Sequence, residues 1–480
     1  MAQISVSRRA AHAILLAVEA GIGHSDALLR EDPLMAAMSP ADRRLTTTLV
    51  LGVLRWQIQL DEQIHGFLSK PNKKLDPAVL VTLRLGVFQL LHLDRIPAHA
   101  AIDESVELTR RSGFRSASGL VNAVLRRLAN AIDANTSSPA DSGAAALKAH
   151  DFGRAADAAE STRALAPEGR SLQSLAAHPK WMVDRWTKFF GADTASAICV
   201  HDQAPPIPAI RLSAPEVEQE LGETGISLAP GNLLAAAGIV LSGDVRDTAA
   251  FREGRVRVQD EGSQLVAEFA GLHDASGRKR ILDSCAAPGG KTLILAERNP
   301  EAEIVACEAS RPRLKQLRNR LAAIGKRVDC RLADATALSF DSEFDMVLAD
   351  VPCSGTGTLS RNPEIRHRLQ LEDLPRQAER QRAILASALR AVRTGGRVVY
   401  STCSLEPEEN EEVIAAVLAQ HPTARLTPIG PVLQALRDRG ILTPGGLEKL
   451  PQCLTPEGFL RLIPGAFGTD GFFIAIIRKL

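Results

Sequence analysis

The sequence predicts a multidomain protein: an all-α N-terminal domain, a small α+β domain, and a C-terminal α/β domain on a mostly parallel sheet. Three observations predict this. Apolar residues recur at three- and four-residue spacing through residues 8–128, the pattern of amphipathic helices. From Gln259 onward, short strand-like runs alternate with helical stretches, which argues for parallel strands covered on both faces. A chain of 480 residues makes about three domains at ~100–200 residues each.

The helical reading rests on runs such as Ala10-Ile14-Ala17-Val18 and Leu45-Leu49-Leu51-Val53-Leu54. Ser39, ahead of Pro40 and Asp42, is a helix start. The first domain is placed at 1–129. Residues 130–172 are rich in Ala, Ser, Asp and Gly without periodicity, which predicts a flexible linker. Pattern returns at His178, and short strands and helices to about residue 258 predict the small α+β domain, placed at 173–258. Trp181 and Trp186 fall there, and core packing is the expected use of such rings.

The last domain is placed at 259–480. Its strand-like runs are 280–283, 304–308, 328–332, 344–350 and 397–401. Two later runs, 459–463 and 472–477, flank Asp470-Gly471 and predict an antiparallel hairpin closing one edge of the sheet.

Composition narrows the partners. Net charge is only +1, but residues 8–128 hold 16 basic against 12 acidic side chains, and residues 361–397 hold 9 arginines against 4 acids. Each surplus suits either a phosphate-contacting face or a solvated helix face. No apolar run reaches the ~18 residues that span a bilayer, so no membrane partner and a cytoplasmic location are expected. The seven cysteines form no CxxC pair, so no metal site is expected. In a reducing compartment they remain thiols, and thiols are nucleophiles.

The loop after the first strand, Asp283-Ser284-Cys285-Ala286-Ala287-Pro288-Gly289-Gly290-Lys291-Thr292, lies where open α/β sheets bind ligands. Its glycines allow close backbone approach, and the helix that follows favours a carboxylate at its N-terminus. The spacing is not that of a triphosphate loop and suits the amino-acid end of S-adenosylmethionine. Cys285 to Lys291 are therefore cofactor-binding candidates, with Lys291 able to pair with the methionine carboxylate. Glu308 ends the second strand, where an acid can hold a ribose diol. Asp334 follows the third and can accept from an adenine amino group. Asp350 ends the fourth and completes the set at the same edge.

Two further segments end strands at that edge: Asp350-Val351-Pro352-Cys353-Ser354-Gly355-Thr356-Gly357, and Ser401-Thr402-Cys403-Ser404-Leu405-Glu406-Pro407-Glu408-Glu409-Asn410. With the Asp283–Thr292 loop, 258–264 and Asp470-Gly471-Phe472-Phe473, they resemble the Sun family of RNA cytosine-5-methyltransferases. The N-terminal segment resembles the NusB-like RNA-binding fold through 42–44, 52–55, 83–86, 96–100 and 121–127.

The resemblance implies a Rossmann-like class I methyltransferase domain, S-adenosylmethionine as cofactor, and ribosomal RNA (16S, unassembled or partly assembled) as partner, with the protein a monomer. It assigns the nucleophile to Cys403, release of the enzyme after methyl transfer to Cys353, and the N3 and amino edge of cytosine to Asp350. The chain departs from the family's usual pattern in carrying Glu308 where many relatives carry aspartate, and Leu212-Ser213 where relatives often carry Val-Asn. Glu406, Glu408 and Glu409 would oppose a thiolate if they lie close. Three other readings stay open on sequence: methylation of another RNA such as transfer RNA, methylation of a small molecule, and a non-catalytic RNA-binding ribosome-assembly or antitermination factor. Cys285, Cys307 and Cys330, on strand patterns, read as small buried apolar residues.

Overall fold

Ser39 caps the 28-residue helix Pro40–Phe67, its hydroxyl accepting from the backbone N–H of Asp42 at 3.1 Å, as the Ser-Pro-x-Asp run predicts. Asp76 does the same for the helix Pro77–His92. The computed structural model describes residues 4–70, 74–136, 174–271, 279–323 and 328–480. The helix Ser118–Thr136 takes in the start of the expected linker, whose remainder lies outside the described residues.

The chain forms two compact units, Met1–Pro205 with Leu359–Arg368, and Pro206–Thr358 with Leu369–Leu480. Among the described residues the first is helical. Its core gathers Leu49, Val53, Leu83, Phe88 and Leu125. The helices Lys180–Phe190 and Ala192–Gln203 belong to this unit, so the segment drawn as one small domain at 173–258 is divided near residue 205. Trp186 is fully buried and Trp181 half-buried.

The second unit carries twelve strands among the described residues: β1 Ala209–Leu212, β2 Ser227–Pro230, β3 Ala237–Ser242, β4 Val256–Val258, β5 Arg280–Asp283, β6 Glu303–Glu308, β7 Val328–Leu332, β8 Phe344–Asp350, β9 Val392–Thr402, β10 Ala424–Thr427, β11 Leu460–Leu462 and β12 Phe472–Lys479. β1–β4 form an antiparallel sheet in the order β2-β3-β1-β4. It is tied to the next helix by Glu261, whose buried carboxylate accepts from the N–H groups of Asn232, Leu233 and Leu234 at 2.8, 2.8 and 3.0 Å.

The large sheet runs β10-β12-β9-β8-β5-β6-β7, with β11 added to β12. β5 to β9 are parallel and β12 is antiparallel to β9. The expected late hairpin forms, since β11 pairs with β12, but it does not close the edge. β12 lies between β9 and β10, and β10 is the edge strand. Six consecutive buried residues, Phe472 to Ile477, suit an interior strand, whereas the four residues of β10 include Arg425 and Thr427 and carry no strand pattern. β9 also starts earlier than expected, at Val392, because Thr394-Gly395-Gly396 interrupts the apolar run that marks it.

Chain order reverses between β5 and β8, which are hydrogen-bonded neighbours. Their carboxyl ends are Asp283 and Asp350, and a crevice opens outside such a switch point. No helix among the described residues is long and apolar enough to cross a membrane.

Candidate active site

The loop after β5 is pinned to both neighbouring strands. Ser284 N–H donates to Leu348 O and Ala286 N–H to Cys307 O, each at 2.9 Å. Gly289 takes φ +99°, and a Cβ there would come 2.8 Å from Leu317 Cδ1, so glycine meets both a backbone and a space requirement. Helix Gly290–Arg298 starts next. A cavity of about 120 Å3 opens here, lined by Gln259, Asp283, the 285–288 loop, Lys291 and Asp350 among others. A larger cleft of about 450 Å3, lined by Arg390, His421 and Lys479, holds none of the motif residues.

Two acceptors line the cavity without a hydrogen bond among the described residues, Asp283 Oδ1 and Gln259 Oε1. Asp283 Oδ2 accepts from Thr292 Oγ1 at 2.7 Å. Burial pushes the Asp283 carboxyl up to about 7, against the pull of the Thr292 bond. Two unmet acceptors, one of them a carboxylate oxygen, suit a small ligand bearing an ammonium group.

Glu308 and Asp334 stand at the ends of β6 and β7 as expected but do not line that cavity. Glu308, nearly buried, accepts from Ser310 N at 2.8 Å. Asp334 caps a short turn, accepting from the N–H and hydroxyl of Thr336 at 2.9 and 2.8 Å. Both carboxylates are thus engaged locally.

Lys291 pairs with Asp350, Nζ to Oδ2 at 2.7 Å. Its ammonium also sits 5.5 Å from the centre of the Phe472 ring, within cation–π range. Burial disfavours the lysine charge, but Asp350, with Cys403 and Asp283, outweighs it and raises the pKa. Ser401 Oγ donates to the other Asp350 oxygen at 2.7 Å. Asp350 therefore meets the site as a paired, oriented carboxylate.

Cys353 and Cys403, fifty residues apart in sequence, place their sulfurs 3.3 Å from each other. Gly357 brings the two loops together: its N–H donates to Cys403 O at 2.9 Å, and its own carbonyl accepts from Gly471 N–H at 2.7 Å. A Cβ on Gly357 would lie 2.7 Å from Gly471 O and 2.9 Å from Cys403 O, a distance only glycine allows. The hydrogen bond to Cys403 and burial hold the Cys353 thiol well above the usual cysteine value.

Burial also pushes Cys285 and Cys307 up to about 12 and raises Cys330, so none of these is a nucleophile near neutral pH. Sequence reasoning treated Glu409 only as a charge opposing the thiolate. The structure buries it, with its carboxylate accepting from Ser354 N–H at 2.8 Å, Gln381 Nε2 at 2.9 Å, and the hydroxyls of Ser354 and Ser404. The signal that pointed to it is the serine following each cysteine, as Cys353-Ser354 and Cys403-Ser404. The arginine surplus of 361–397 is not one face either: Arg366 is buried, and Arg368 donates to Val18 O and Gly23 O inside the helical unit.

These features can be set beside known proteins. Residues 272–478 match the family described as 16S rRNA methyltransferase RsmB/F, and residues 5–130 match the NusB family. The chain is 31% identical to the probable ribosomal RNA small subunit methyltransferase B of Bacillus subtilis, with 97% of each chain covered. It is 34% identical to the ribosomal RNA small subunit methyltransferase B of Pseudomonas putida, covering 92% of this chain and 91% of that one. The crystal structure of PH0851 shares the fold, with a TM-score of 0.74 and 23% identity over the whole of both chains. A NusB-family domain, a methyltransferase domain and relatives of this kind along the whole length lead to one assignment: the chain belongs to the RsmB/F family of 16S ribosomal RNA methyltransferases.

Proposed function

We propose that this RNA methyltransferase transfers a methyl group from S-adenosylmethionine to carbon 5 of a cytosine in 16S ribosomal RNA, with Cys403 as a transient nucleophile. One observation carries the reading: two thiols 3.3 Å apart at the carboxyl edge of the sheet, beside a cavity with unmet acceptors. Bound S-adenosylmethionine supplies an electrophilic methyl group. Gln259 and Asp283 would hold its ammonium, with Glu308 and Asp334 at successive strand ends toward its ribose and adenine.

The residues account for the remaining steps. Carbon 5 of cytosine is a poor nucleophile. Bond formation between the Cys403 sulfur and carbon 6 moves the ring's double-bond electrons toward carbon 5, where they attack the methyl group, dividing one hard step into easier ones. The Lys291 ammonium lies near enough to feel a charge on the Cys403 sulfur. Asp350, held by Lys291 and Ser401, faces the N3 and amino edge of the ring. The Lys291 ammonium beside Asp350 lets the pair offset charge that develops at N3. With Cys403 bonded to carbon 6, Cys353 gives its own proton to solvent and, as a thiolate, takes the carbon 5 proton; the carbon 5–carbon 6 double bond re-forms, and Cys403 leaves with the electrons of the carbon–sulfur bond.

The target base must be unstacked for carbon 6 to be reached, so RNA not yet folded into the subunit is the expected substrate, acted on by a monomer. Purified protein given labelled donor with naked 16S RNA, assembled small subunits or transfer RNA should label the naked 16S RNA at cytosine. Labelling of transfer RNA alone, or of a base other than cytosine, overturns the assignment.

Asp283 supplies a pH test. A cationic ligand favours its ionised form, so donor affinity should rise with pH through about 7, by about tenfold between pH 6 and pH 8 at the usual slope of one decade per unit. Without donor the sign is the opposite for stability. A carboxyl raised on folding stabilises the fold fully below the unfolded carboxyl value and loses that contribution as pH rises through about 7. Asp283→Asn should flatten both dependences. Calorimetric titration with the donor at several pH values checks this, and an unchanged slope in Asp283→Asn sinks it.

A further inference from the structure

We infer that Glu409 is a positioning residue, a buried carboxylate clamp that holds the Cys353 and Cys403 loops at one sulfur-to-sulfur separation. The inference rests on the two-thiol reading above and adds the residue that sets its geometry. An ionised carboxylate offers about four acceptor sites, and Glu409 fills them with four donors: Ser354 N–H, Ser354 Oγ, Ser404 Oγ and Gln381 Nε2. Ser354 follows Cys353 and Ser404 follows Cys403, so one side chain grips the residue next to each sulfur.

The clamp is itself fixed. Gln381 also donates to Pro352 O at 3.0 Å, and Tyr400 Oη donates to the Glu409 carbonyl at 2.6 Å. Asn410 accepts from Thr402 Oγ1 at 2.6 Å and donates to Ser404 O at 2.9 Å, closing the Cys403 turn. Glu409 is fully buried, so water does not screen these bonds or replace them when one is lost. Glutamine has the same shape but turns one oxygen into a donor, which faces the two hydroxyls. Glu409 does not line the cavity and bonds to neither sulfur, although its charge adds to what holds the Cys353 thiol up.

Phenylarsine oxide reads the separation directly. Its arsenic forms bonds to two neighbouring sulfurs, and its oxygen leaves with both thiol protons as water. The full-length wild-type protein should bind one equivalent at the Cys353–Cys403 pair, and Cys353→Ala and Cys403→Ala should each lose that equivalent. Glu409→Gln should close the ring more slowly and lower kcat by about 10²-fold, the cost of a misplacement near 1 Å, with KM for the donor unchanged. Should Glu409→Gln not fold, Ser354→Ala carries the test, since it removes one hydroxyl and leaves three donors, and it should lower kcat with the same KM. Wild-type ring closure and kcat in a folded Glu409→Gln overturn the clamp. Full turnover in Cys403→Ala instead overturns the two-thiol reading, while the arsenical result for Glu409 still stands or falls by itself.

Discussion

Cys403→Ala is expected to abolish methyl transfer to RNA, with a loss of about 10⁴-fold or more, because the covalent step has no substitute nucleophile in the site. Cys353 is close, but its thiol is held well above the usual value, and its sulfur sits on the neighbouring loop. Cys285 lines the cavity, and burial pushes its thiol up to about 12. Cys353→Ala should behave differently. It retains the attacking sulfur and lacks the group that takes the carbon 5 proton, so the enzyme should stay bonded to its RNA. A slower-migrating band on a denaturing gel, absent from the Cys353→Ala/Cys403→Ala double variant, is the expected result. Normal turnover in Cys403→Ala, or an adduct band that survives in the double variant, would mean that the sulfur roles are assigned wrongly.

The second large effect is on stability and falls on Arg366 in the helical unit. Arg366 lies in the stretch Leu359–Arg368, where the chain leaves the unit that holds the thiols, joins the helical unit, and returns. The residue is 1% exposed, and its guanidinium donates to the carbonyls of Arg55 and Ala177 at 3.2 Å and of Asp202 at 3.5 Å. Around it, Ser25 donates to Glu364 through N–H and hydroxyl at 3.0 and 2.9 Å, and Arg55 donates to Ser360 O at 2.9 Å. Burial drives His367 down to about 4, so the stretch carries a neutral imidazole there, bonded to Leu54 O at 2.7 Å.

Arg366→Ala removes a donor to three backbone carbonyls and leaves a void. A loss of about 3–5 kcal/mol is expected for breaking such a buried charged contact, a fall in melting temperature on the order of 10 °C for a unit of this size. Arg366→Lys should not restore it, since one nitrogen cannot serve three carbonyls spread over a planar fork. Calorimetry of the full chain measures both. A melting temperature within a degree or so of wild type in Arg366→Ala would show that the stretch is not held by this residue.

Much of the site was legible because the parallel sheet writes its own edge into the sequence. Each apolar run ends in a motif, so Asp283, Glu308, Asp334 and Asp350 could be placed at strand ends before any coordinates were known. The helical domain was legible for the same kind of reason, through its period and through caps such as Ser39. Less legible was what each polar side chain does with its bonds. Lys291 carries no mark that it will pair with Asp350, and Glu409 looks like its neighbours Glu406 and Glu408. β10 was missed because four residues with two polar ones carry no period, and its place at the edge depends on β12.

Local order thus came from the chain alone: the period of helices and strands, the helix caps, the glycine loops and the two cysteine motifs all depend on residues a few positions apart. Long-range partnership came from folding. That Leu359–Arg368 packs among helices more than three hundred residues earlier, that two sulfurs fifty residues apart come within 3.3 Å, and that one buried carboxylate joins their loops leave no period behind. Steric and hydrogen-bond preferences of neighbouring residues act over a turn or a strand, whereas burial of a charge is satisfied by whichever donors the packed interior brings to it.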